Sequence, residues 1–226
     1  MAPRKSASKN AARSGDALRA AVLAAALRHA PFDGFTDKLL EKAGREAGAD
    51  ASALAKRFPD GAMSLVEAFS ESADRDMEKT LARSKLAAMK IRERIRCAVM
   101  ARIAAIRPHK HAARRAAAFL TLPPHAALGL KLLYRTVDSM WRAAGDTSTD
   151  FNFYTKRAIL AGVYSATLMR WFTDESEGER DTLAFLDRRI EDVMRFEKFK
   201  AQVRESAKGL PSLSDILSGS APKRSP

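Results

Sequence analysis

The sequence of 226 residues predicts an all-α fold. Apolar residues recur at helical spacing over most of the chain, and the strict alternation typical of strands is absent. Gly and Pro fall between these helical segments rather than inside them. A chain of this length can bury one sizeable core, or one core with a small appended module. We therefore expect a helical bundle with a small N-terminal module.

Composition excludes some classes of protein and leaves others open. The single cysteine, Cys97, rules out a disulfide framework and is expected to be a buried small hydrophobe. No apolar run reaches the roughly 20 residues that span a bilayer. The net charge is +13, and residues 94–137 hold nine Lys or Arg and no acid, whereas residues 174–197 hold nine acids and four Arg. Such a basic field attracts nucleic acid, anionic lipid or an acidic partner.

The N-terminal third of the chain predicts a tail followed by a three-helix module. Residues 1–15 are basic, rich in Ser and Ala and free of acids, which is typical of a disordered tail or of a transit peptide. The module is expected to cover 16–70. Its predicted helices are at 16–30, 36–47 and 51–57, with a break at Pro31-Phe32-Asp33-Gly34 and a longer helix after Pro59-Asp60-Gly61.

The run Ala47-Gly48 followed by residues 49–59 resembles the helix-turn-helix of TetR-type regulators, and Phe58 matches the aromatic that precedes the next helix in that family. The resemblance implies a TetR-like helical bundle with an N-terminal helix-turn-helix-like module. The reading helix would present Ser52, Lys56 and Arg57, but no Asn, Gln or second Arg that could pair bidentately with a base edge. We therefore expect no sequence-specific DNA binding. A TetR-type transcription regulator is kept as the alternative to the function that the rest of the chain indicates below.

A larger helical domain is expected over 71–205. A helix at 86–106 carries Ile91, Ile95, Val99 and Ile106 at helical spacing. Pro108 and the Pro123-Pro124 pair each suit the first turn of a further helix, where a missing N–H group costs nothing. The helix after Pro124 places Leu133, Val137 and Met140 on one side.

Residues 145–164 form the most distinctive segment, GDTSTDFNFYTKRAILAGVY. It opens with a turn and four candidate helix caps, Thr147, Ser148, Thr149 and Asp150. Aromatic and cationic side chains then crowd the first turn of the helix, which is rare at a mobile helix end. A hydrophobic staple with ordinary packing explains the same spacing equally well.

This segment resembles the signature of the ninth COQ protein family of ubiquinone biosynthesis. The resemblance extends from about residue 91 to 202 and includes Val137-Asp138-Ser139-Met140-Trp141 and the run from Asp181 to Ile190. Many relatives carry Trp where this chain has Phe153. The resemblance implies a non-enzymatic lipid-binding accessory factor. Such a factor binds an isoprenoid quinone intermediate and presents it to the di-iron demethoxyubiquinone hydroxylase.

The predicted lipid site lies between the two central helices. The helix 158–169 carries no charge and lies next in the chain to an amphipathic helix. Five side chains are expected to face an apolar cavity there: Leu133, Val137, Leu160, Tyr164 and Leu168. An ordinary packed core is the alternative for each of them. Ala158, Gly162 and Ala166 form a face of small residues that could supply the contact of a homodimer.

Two surfaces are predicted in addition. The hydroxylase is expected to bind an exposed aromatic and cationic patch made of Met140, Trp141, Asp150, Phe153, Tyr154 and Arg157. A membrane surface is expected to contact the apolar side of a C-terminal amphipathic helix and a short segment in a flexible tail over 206–226. Its residues are Phe196, Phe199, Val203, Leu213, Ile216 and Leu217.

Enzyme chemistry finds no support in the sequence. No carboxylate stands three residues before any of the four His, so the Glu-x-x-His pairs of di-iron bundles are missing. The lone Cys has no obvious base, and no phosphate-binding loop occurs. We expect no catalytic residue, metal or cofactor. The expected location is the cytoplasm, peripheral on the inner membrane, or the mitochondrial matrix side in a eukaryote. A structural membrane adaptor without a lipid pocket is a further alternative.

Overall fold

The computed structural model describes residues 4–147 and 151–207. Within them the chain folds into nine α-helices and contains no strand, which confirms the predicted all-α class. The helices are α1 (Arg4–Asp33), α2 (Asp37–Glu46), α3 (Ala51–Arg57), α4 (Ala62–Ala82), α5 (Ile91–Ile106), α6 (Lys110–Leu120), α7 (Ala126–Ala143), α8 (Phe151–Phe172) and α9 (Arg180–Ala207).

Helix α1 is longer at both ends than the sequence predicts. It begins at Arg4, inside the predicted tail, in a stretch of Ala, Ser, Lys and Arg that contains no Gly or Pro before Gly15. It also continues through Pro31, because a proline in the last turn removes only its own backbone hydrogen bond. The helix ends at Gly34, which has a φ of 67° and donates its N–H to the Ala30 carbonyl at 3.0 Å.

Two carboxylates that cap helix N-termini fix the turns of the N-terminal module. The Asp50 carboxylate accepts a hydrogen bond from the Ala53 N–H at 2.7 Å and so starts α3. The carboxylate of Asp37, in α2, accepts one from the Ala62 N–H at 2.8 Å and so caps α4. Gly61 precedes α4 with a φ of 56°, and a Cβ there would lie 2.2 Å from the Asp37 carboxylate. The turn between α3 and α4 therefore requires glycine.

The larger part of the molecule is a bundle built on the long helix α4. Helices α5 and α7 pack on α4, α8 packs on α7, and α9 packs on α8 and α5. Helix α6 lies between α1 and the α7–α8 pair. One contiguous core runs through both parts, from Val22 in α1 to Leu186 in α9.

The start of α5 differs from the prediction of one helix over 86–106. A short 3₁₀ turn covers Leu86–Ala88, Met89 is extended, and α5 begins only at Ile91. The Glu93 carboxylate accepts the Lys90 N–H at 3.0 Å, which favours a helix start at this point. Ile91 is consequently 45% exposed rather than inward, and Cys97 is only partly buried.

No helix among the described residues is by itself long and apolar enough to cross a bilayer. The segments Ile91–Leu120 and Pro123–Ala143, which meet at a bend of 96°, satisfy the length and composition criteria only when they are taken together.

A buried carboxylate organises the corner between α8 and α9. Asp174 accepts hydrogen bonds from the Ser176 N–H and hydroxyl at 2.9 and 2.6 Å, and from the Thr182 N–H at 2.7 Å. Burial opposes ionisation, but the hydrogen bonds from Ser176 and Thr182 outweigh it and hold the pKa of Asp174 well below its usual range. Ionised Asp174 therefore stabilises the fold.

We expect Asp174→Ala to lower the free energy of unfolding by about 2 kcal/mol at neutral pH, because the variant loses the hydrogen bonds that Asp174 accepts from Ser176 and from the first turn of α9 at Thr182. The depressed folded-state pKa makes this stabilisation complete above the ordinary value of 3.8, and it is lost as the pH falls below that value. Urea unfolding at several pH values should therefore show the two proteins converging in acid. The control is Glu175→Ala, which removes the exposed carboxylate next to Asp174 in the sequence. A constant difference down to pH 2 would contradict the assignment.

Candidate functional site

An apolar cavity of about 310 Å³ lies between α4, α5, α6, α7 and α8. This volume is at the lower end of the range for small-molecule sites. Its apolar walls come from five consecutive helices, with lining residues spread from Val66 to Phe172. The larger apolar side chains that line it are Val66, Phe69, Ile106, Leu120, Leu132, Leu133, Leu168, Met169 and Phe172.

The side chains that line the cavity range from buried to exposed, which indicates a closed end and a mouth. Arg102 and Thr136 line the closed end and are 5% and 2% exposed. Met169, which is 52% exposed, and the exposed Thr121 lie at the mouth. A molecule that enters from solvent therefore passes Met169 and Thr121 before it reaches the buried Arg102 and Thr136.

A buried polar cluster forms the closed end. The Arg102 Nε donates to the Asp74 carboxylate at 2.8 Å, and the Thr136 hydroxyl donates to the same carboxylate at 2.9 Å. The cluster joins α5, α4 and α7. Charges removed from water are costly unless they are paired and hydrogen bonded, so the three side chains depend on one another.

Tyr164 of α8 lines the same cavity and is 5% exposed. Burial raises the pKa of its phenol, Arg102 partly opposes this effect, and Asp74 adds to it. The hydroxyl is therefore protonated at neutral pH and is a hydrogen-bond donor.

The structure brings three of the five predicted lipid-site residues to the cavity: Leu133, Tyr164 and Leu168. Val137 lies in the packed core instead and is 1% exposed. Leu160 lines a separate cavity of about 90 Å³ between α5, α8 and α9. Eight residues rotate a helix by roughly 80°, so Leu160 and Leu168 face different neighbours.

Sequence reasoning missed the contributions of α4, α5 and α6, including Phe69 and Arg102. Arg102 stands in the otherwise apolar run from Ala101 to Ile106, and Asp74 lies between the apolar residues Ala73 and Met77. A charge on the apolar face of each of two helices is a signal that could have suggested a buried pair.

The residues of the predicted partner patch meet where α7 joins α8, but only part of them reaches the surface. Met140 is fully buried and Arg157 is 3% exposed, so neither belongs to an exposed patch. Trp141 and Phe153 are half-buried, and Tyr154 is 66% exposed. Asp150 lies outside the described residues.

Arg157 is buried because it holds this join together. Its Nε donates to Asp138 at 2.7 Å, and its Nη1 donates to Asp146 at 3.2 Å and to the Phe153 carbonyl at 3.1 Å. The guanidinium also lies 3.3 Å from the centre of the Phe153 ring. Asp146 is further paired with Lys156 at 2.7 Å. The cation predicted to bind a partner is therefore engaged within the chain.

The other predicted surfaces are described only in part. Phe196 is 61% exposed on α9. Phe199 and Val203 lie in the same helix, but their side chains are outside the described part, and so are Leu213, Ile216 and Leu217. The small residues Ala158 and Gly162 are exposed on α8, and nothing lies within 4 Å of a Cβ built on Gly162.

The helix-turn-helix-like module presents a short exposed helix. Ser52 and Lys56 of α3 are exposed, whereas the Arg57 guanidinium packs against Gly15 of α1, where a Cβ would lie 1.4 Å from it. No group of three or more His, Cys, Asp or Glu side chains among the described residues is placed to hold a metal.

Comparison of the sequence with known proteins identifies one family. The COQ9 family model matches residues 126–197. "Ubiquinone biosynthesis protein COQ9-B, mitochondrial" of Xenopus laevis is 31% identical over 204 residues, covering 87% of this chain and 69% of that protein. "Ubiquinone biosynthesis protein COQ9, mitochondrial" of Rattus norvegicus is 32% identical, covering 84% and 62%. The chain spans less than two thirds of the length of the rat and human relatives.

The fold resembles that of a TetR transcriptional regulator from Nitrosomonas europaea, known from a crystal structure. The TM-score is 0.61 at 20% sequence identity, over 76% of this chain and 95% of that one. The predicted TetR-like fold is thereby confirmed.

We expect Arg157→Met to lower the free energy of unfolding by about 3 kcal/mol, because it removes the buried cation that Asp138 and Asp146 share and leaves each carboxylate only a more exposed one, Arg142 or Lys156. Urea denaturation measures this loss. The matched control is Arg142→Met, which removes an exposed arginine paired with the same Asp138 and should cost less than about 1 kcal/mol. Equal losses in the two variants would show that the buried network does not hold α7 and α8 together.

Proposed function

This chain belongs to the COQ9 family, and from that premise we propose that it is a non-enzymatic accessory factor of ubiquinone biosynthesis. It binds an isoprenoid quinone intermediate in the cavity between α4 and α8 and presents it to the di-iron demethoxyubiquinone hydroxylase. The observation that carries the proposal is the apolar cavity of about 310 Å³. Three of the side chains that were predicted to contact the lipid line this cavity.

The physical need for such a factor is solubility. A polyprenyl quinone is nearly insoluble in water, yet its ring must leave the bilayer to reach an iron site in another protein. Each CH₂ group that the cavity buries contributes about 0.8 kcal/mol. The cavity is small for a long polyprenyl chain, so it shields the ring and the adjoining isoprene units.

The hydroxylase binds, in this proposal, at the join of α7 and α8. Support comes from Tyr154, which is 66% exposed, and from the half-buried Phe153, whose ring centre lies 5.1 Å from that of Tyr154. The half-buried Trp141 lies at the same join and donates its Nε1–H to the Lys156 carbonyl at 3.1 Å. Aromatic side chains held rigidly at a surface are typical of interface hot spots. The Arg157 network supplies that rigidity, because Arg157 packs against the Phe153 ring.

A membrane surface is the proposed source of the lipid. The protein would be peripheral on the inner membrane, with the exposed Phe196 of α9 and the residues beyond it as the contact. The relatives named above are mitochondrial proteins by name, so a eukaryotic copy would work on the matrix side. A homodimer through the exposed small residues of α8 belongs to the same proposal.

A TetR-type regulator is the second candidate, because the fold is TetR-like and α3 is exposed. Against it, Arg57 packs on α1, which leaves Ser52 and Lys56 as the exposed polar side chains of α3. A gel-shift titration against genomic fragments at physiological salt separates the two functions. Retention of one fragment over the bulk DNA would favour the regulator.

We expect Leu168→Glu to abolish co-purification of lipid, because a carboxylate in the cavity wall cannot be desolvated next to hydrocarbon. Mass spectrometry of lipid extracts measures the loss, and circular dichroism checks the helical fold. The matched control is Met194→Glu at the smaller cavity. Lipid lost with Met194→Glu and retained with Leu168→Glu would place the lipid there instead.

Tyr154→Ala should weaken binding of the demethoxyubiquinone hydroxylase by at least about tenfold, as expected for a hot-spot aromatic. The variant should unfold at the wild-type temperature, because most of its ring is exposed. Tyr134→Ala, an exposed tyrosine on the α4–α7 side, is the control. Equal affinities of the Tyr154 variant and the wild type, measured by calorimetry, would remove this surface from the interface.

A further inference from the structure

The closed end of the cavity contains an unsatisfied cationic donor. Arg102 uses Nε on Asp74 at 2.8 Å and Nη2 on the Ser70 hydroxyl at 3.4 Å. Its Nη1 is buried and has no hydrogen-bond partner. Arg102 is 5% exposed and lines the cavity. Buried polar groups in folded proteins are nearly always paired, so this donor indicates a missing acceptor.

Tyr164 supplies a second donor to the same space. It lines the cavity from α8, and none of the hydrogen bonds of the described residues involves its hydroxyl. The raised pKa of the phenol keeps the proton on the oxygen. Two donors from different helices thus border one apolar cavity.

We propose that this end of the cavity is a subsite for an uncharged oxygen acceptor on the ligand, a carbonyl oxygen that accepts hydrogen bonds from the Arg102 Nη1 and the Tyr164 hydroxyl. The inference rests on the proposed function and deepens it, because it names the chemistry that selects the ligand. Arg102 and Tyr164 are then specificity-determining residues.

The charge balance of the cluster selects a neutral oxygen. The guanidinium charge of Arg102 is already matched by the Asp74 carboxylate, with an N–O distance of 2.8 Å and side chains that are 7% and 12% exposed. A ligand carboxylate or phosphate would place a second negative charge beside Asp74 in a medium that screens poorly. A carbonyl oxygen accepts the same hydrogen bonds without that repulsion.

The position of the donors also sets the direction of entry. Arg102 lies at the closed end, and the exposed Thr121 and Met169 lie at the mouth. The ligand therefore enters with its oxygen-bearing head first and leaves its apolar tail directed toward solvent, where a membrane or a partner covers it. Head-first binding buries the polar head that a lipid in a bilayer keeps in water.

Matched probes test the subsite in the full chain. The probes are geranylacetone, the hydrocarbon in which CH₂ replaces its carbonyl, and a carboxylic acid of the same length. Each displaces the fluorophore N-phenyl-1-naphthylamine in a titration. The wild type is expected to prefer the ketone to the hydrocarbon by roughly tenfold, the value of a single hydrogen bond to a charged donor. The acid should bind more weakly than the ketone.

Variants of Arg102 and Tyr164 test whether these two donors cause the preference for the ketone over the hydrocarbon. Arg102→Lys retains the charge opposite Asp74 but lacks the second terminal nitrogen, so the ketone preference should disappear while hydrocarbon affinity is unchanged. Tyr164→Phe should reduce the preference in part. Tyr134→Phe removes a phenol hydroxyl outside the cavity and should leave the preference unchanged. Should Arg102→Lys fail to fold, Tyr164→Phe decides, and an undiminished preference there overturns the two-donor subsite.

The outcomes separate this inference from the proposed function. Equal affinity of the wild type for ketone and hydrocarbon overturns the subsite. This result is expected if an ordered water accepts the hydrogen bond from Arg102, and it does not contradict lipid binding in the cavity. Tighter binding of the acid overturns the neutral acceptor. Failure of all three probes to bind overturns the proposed function and the subsite with it.

Discussion

The buried ion pair of Asp74 and Arg102 is the interaction on which the bundle around the cavity depends. It joins α4 to α5, and the Thr136 hydroxyl brings α7 to the same carboxylate at 2.9 Å. Because neither charge can be buried alone, the three helices are held in one arrangement. That arrangement leaves space between them and α6 and α8, where Ala113 and Ala116 of α6 line the wall. Small side chains at these positions leave space that larger apolar residues would fill.

Two buried arginines have different roles in this chain. Arg157 is fully engaged by Asp138, Asp146 and a backbone carbonyl, so it fixes the join of α7 and α8. Arg102 has one carboxylate partner and one terminal nitrogen without any partner. The first fits a structural role beneath the aromatic surface that we propose for the hydroxylase. The second fits a binding role. The proposed partner binding and the proposed lipid binding thus depend on two guanidinium groups, one with partners for its hydrogen-bond donors and one with a donor left free.

The sequence predicted what depends on local spacing. Helical periodicity predicts the all-α class, and the turn signal Pro59-Asp60-Gly61 predicts the start of α4. It could not tell which side of a long helix meets which neighbour, so Leu160 and Leu168 were assigned to one cavity although they line two. It also could not pair Asp74 with Arg102, which are 28 residues apart. Sequence spacing predicts a surface cation at Arg157, but the carboxylates that bury it come from the preceding helix and turn.

Photochemical cross-linking tests the central claim most directly, that a lipid binds head-first in the cavity between α4 and α8. Two isoprenoid ketones would be compared, one with an aliphatic diazirine beside the carbonyl and one with it at the far end of the chain. The account predicts that the first labels peptides containing Arg102 or Tyr164 and that the second labels those containing Thr121 or Met169. Labelling of the α5–α9 cavity around Leu160 and Met194 by both probes would contradict it.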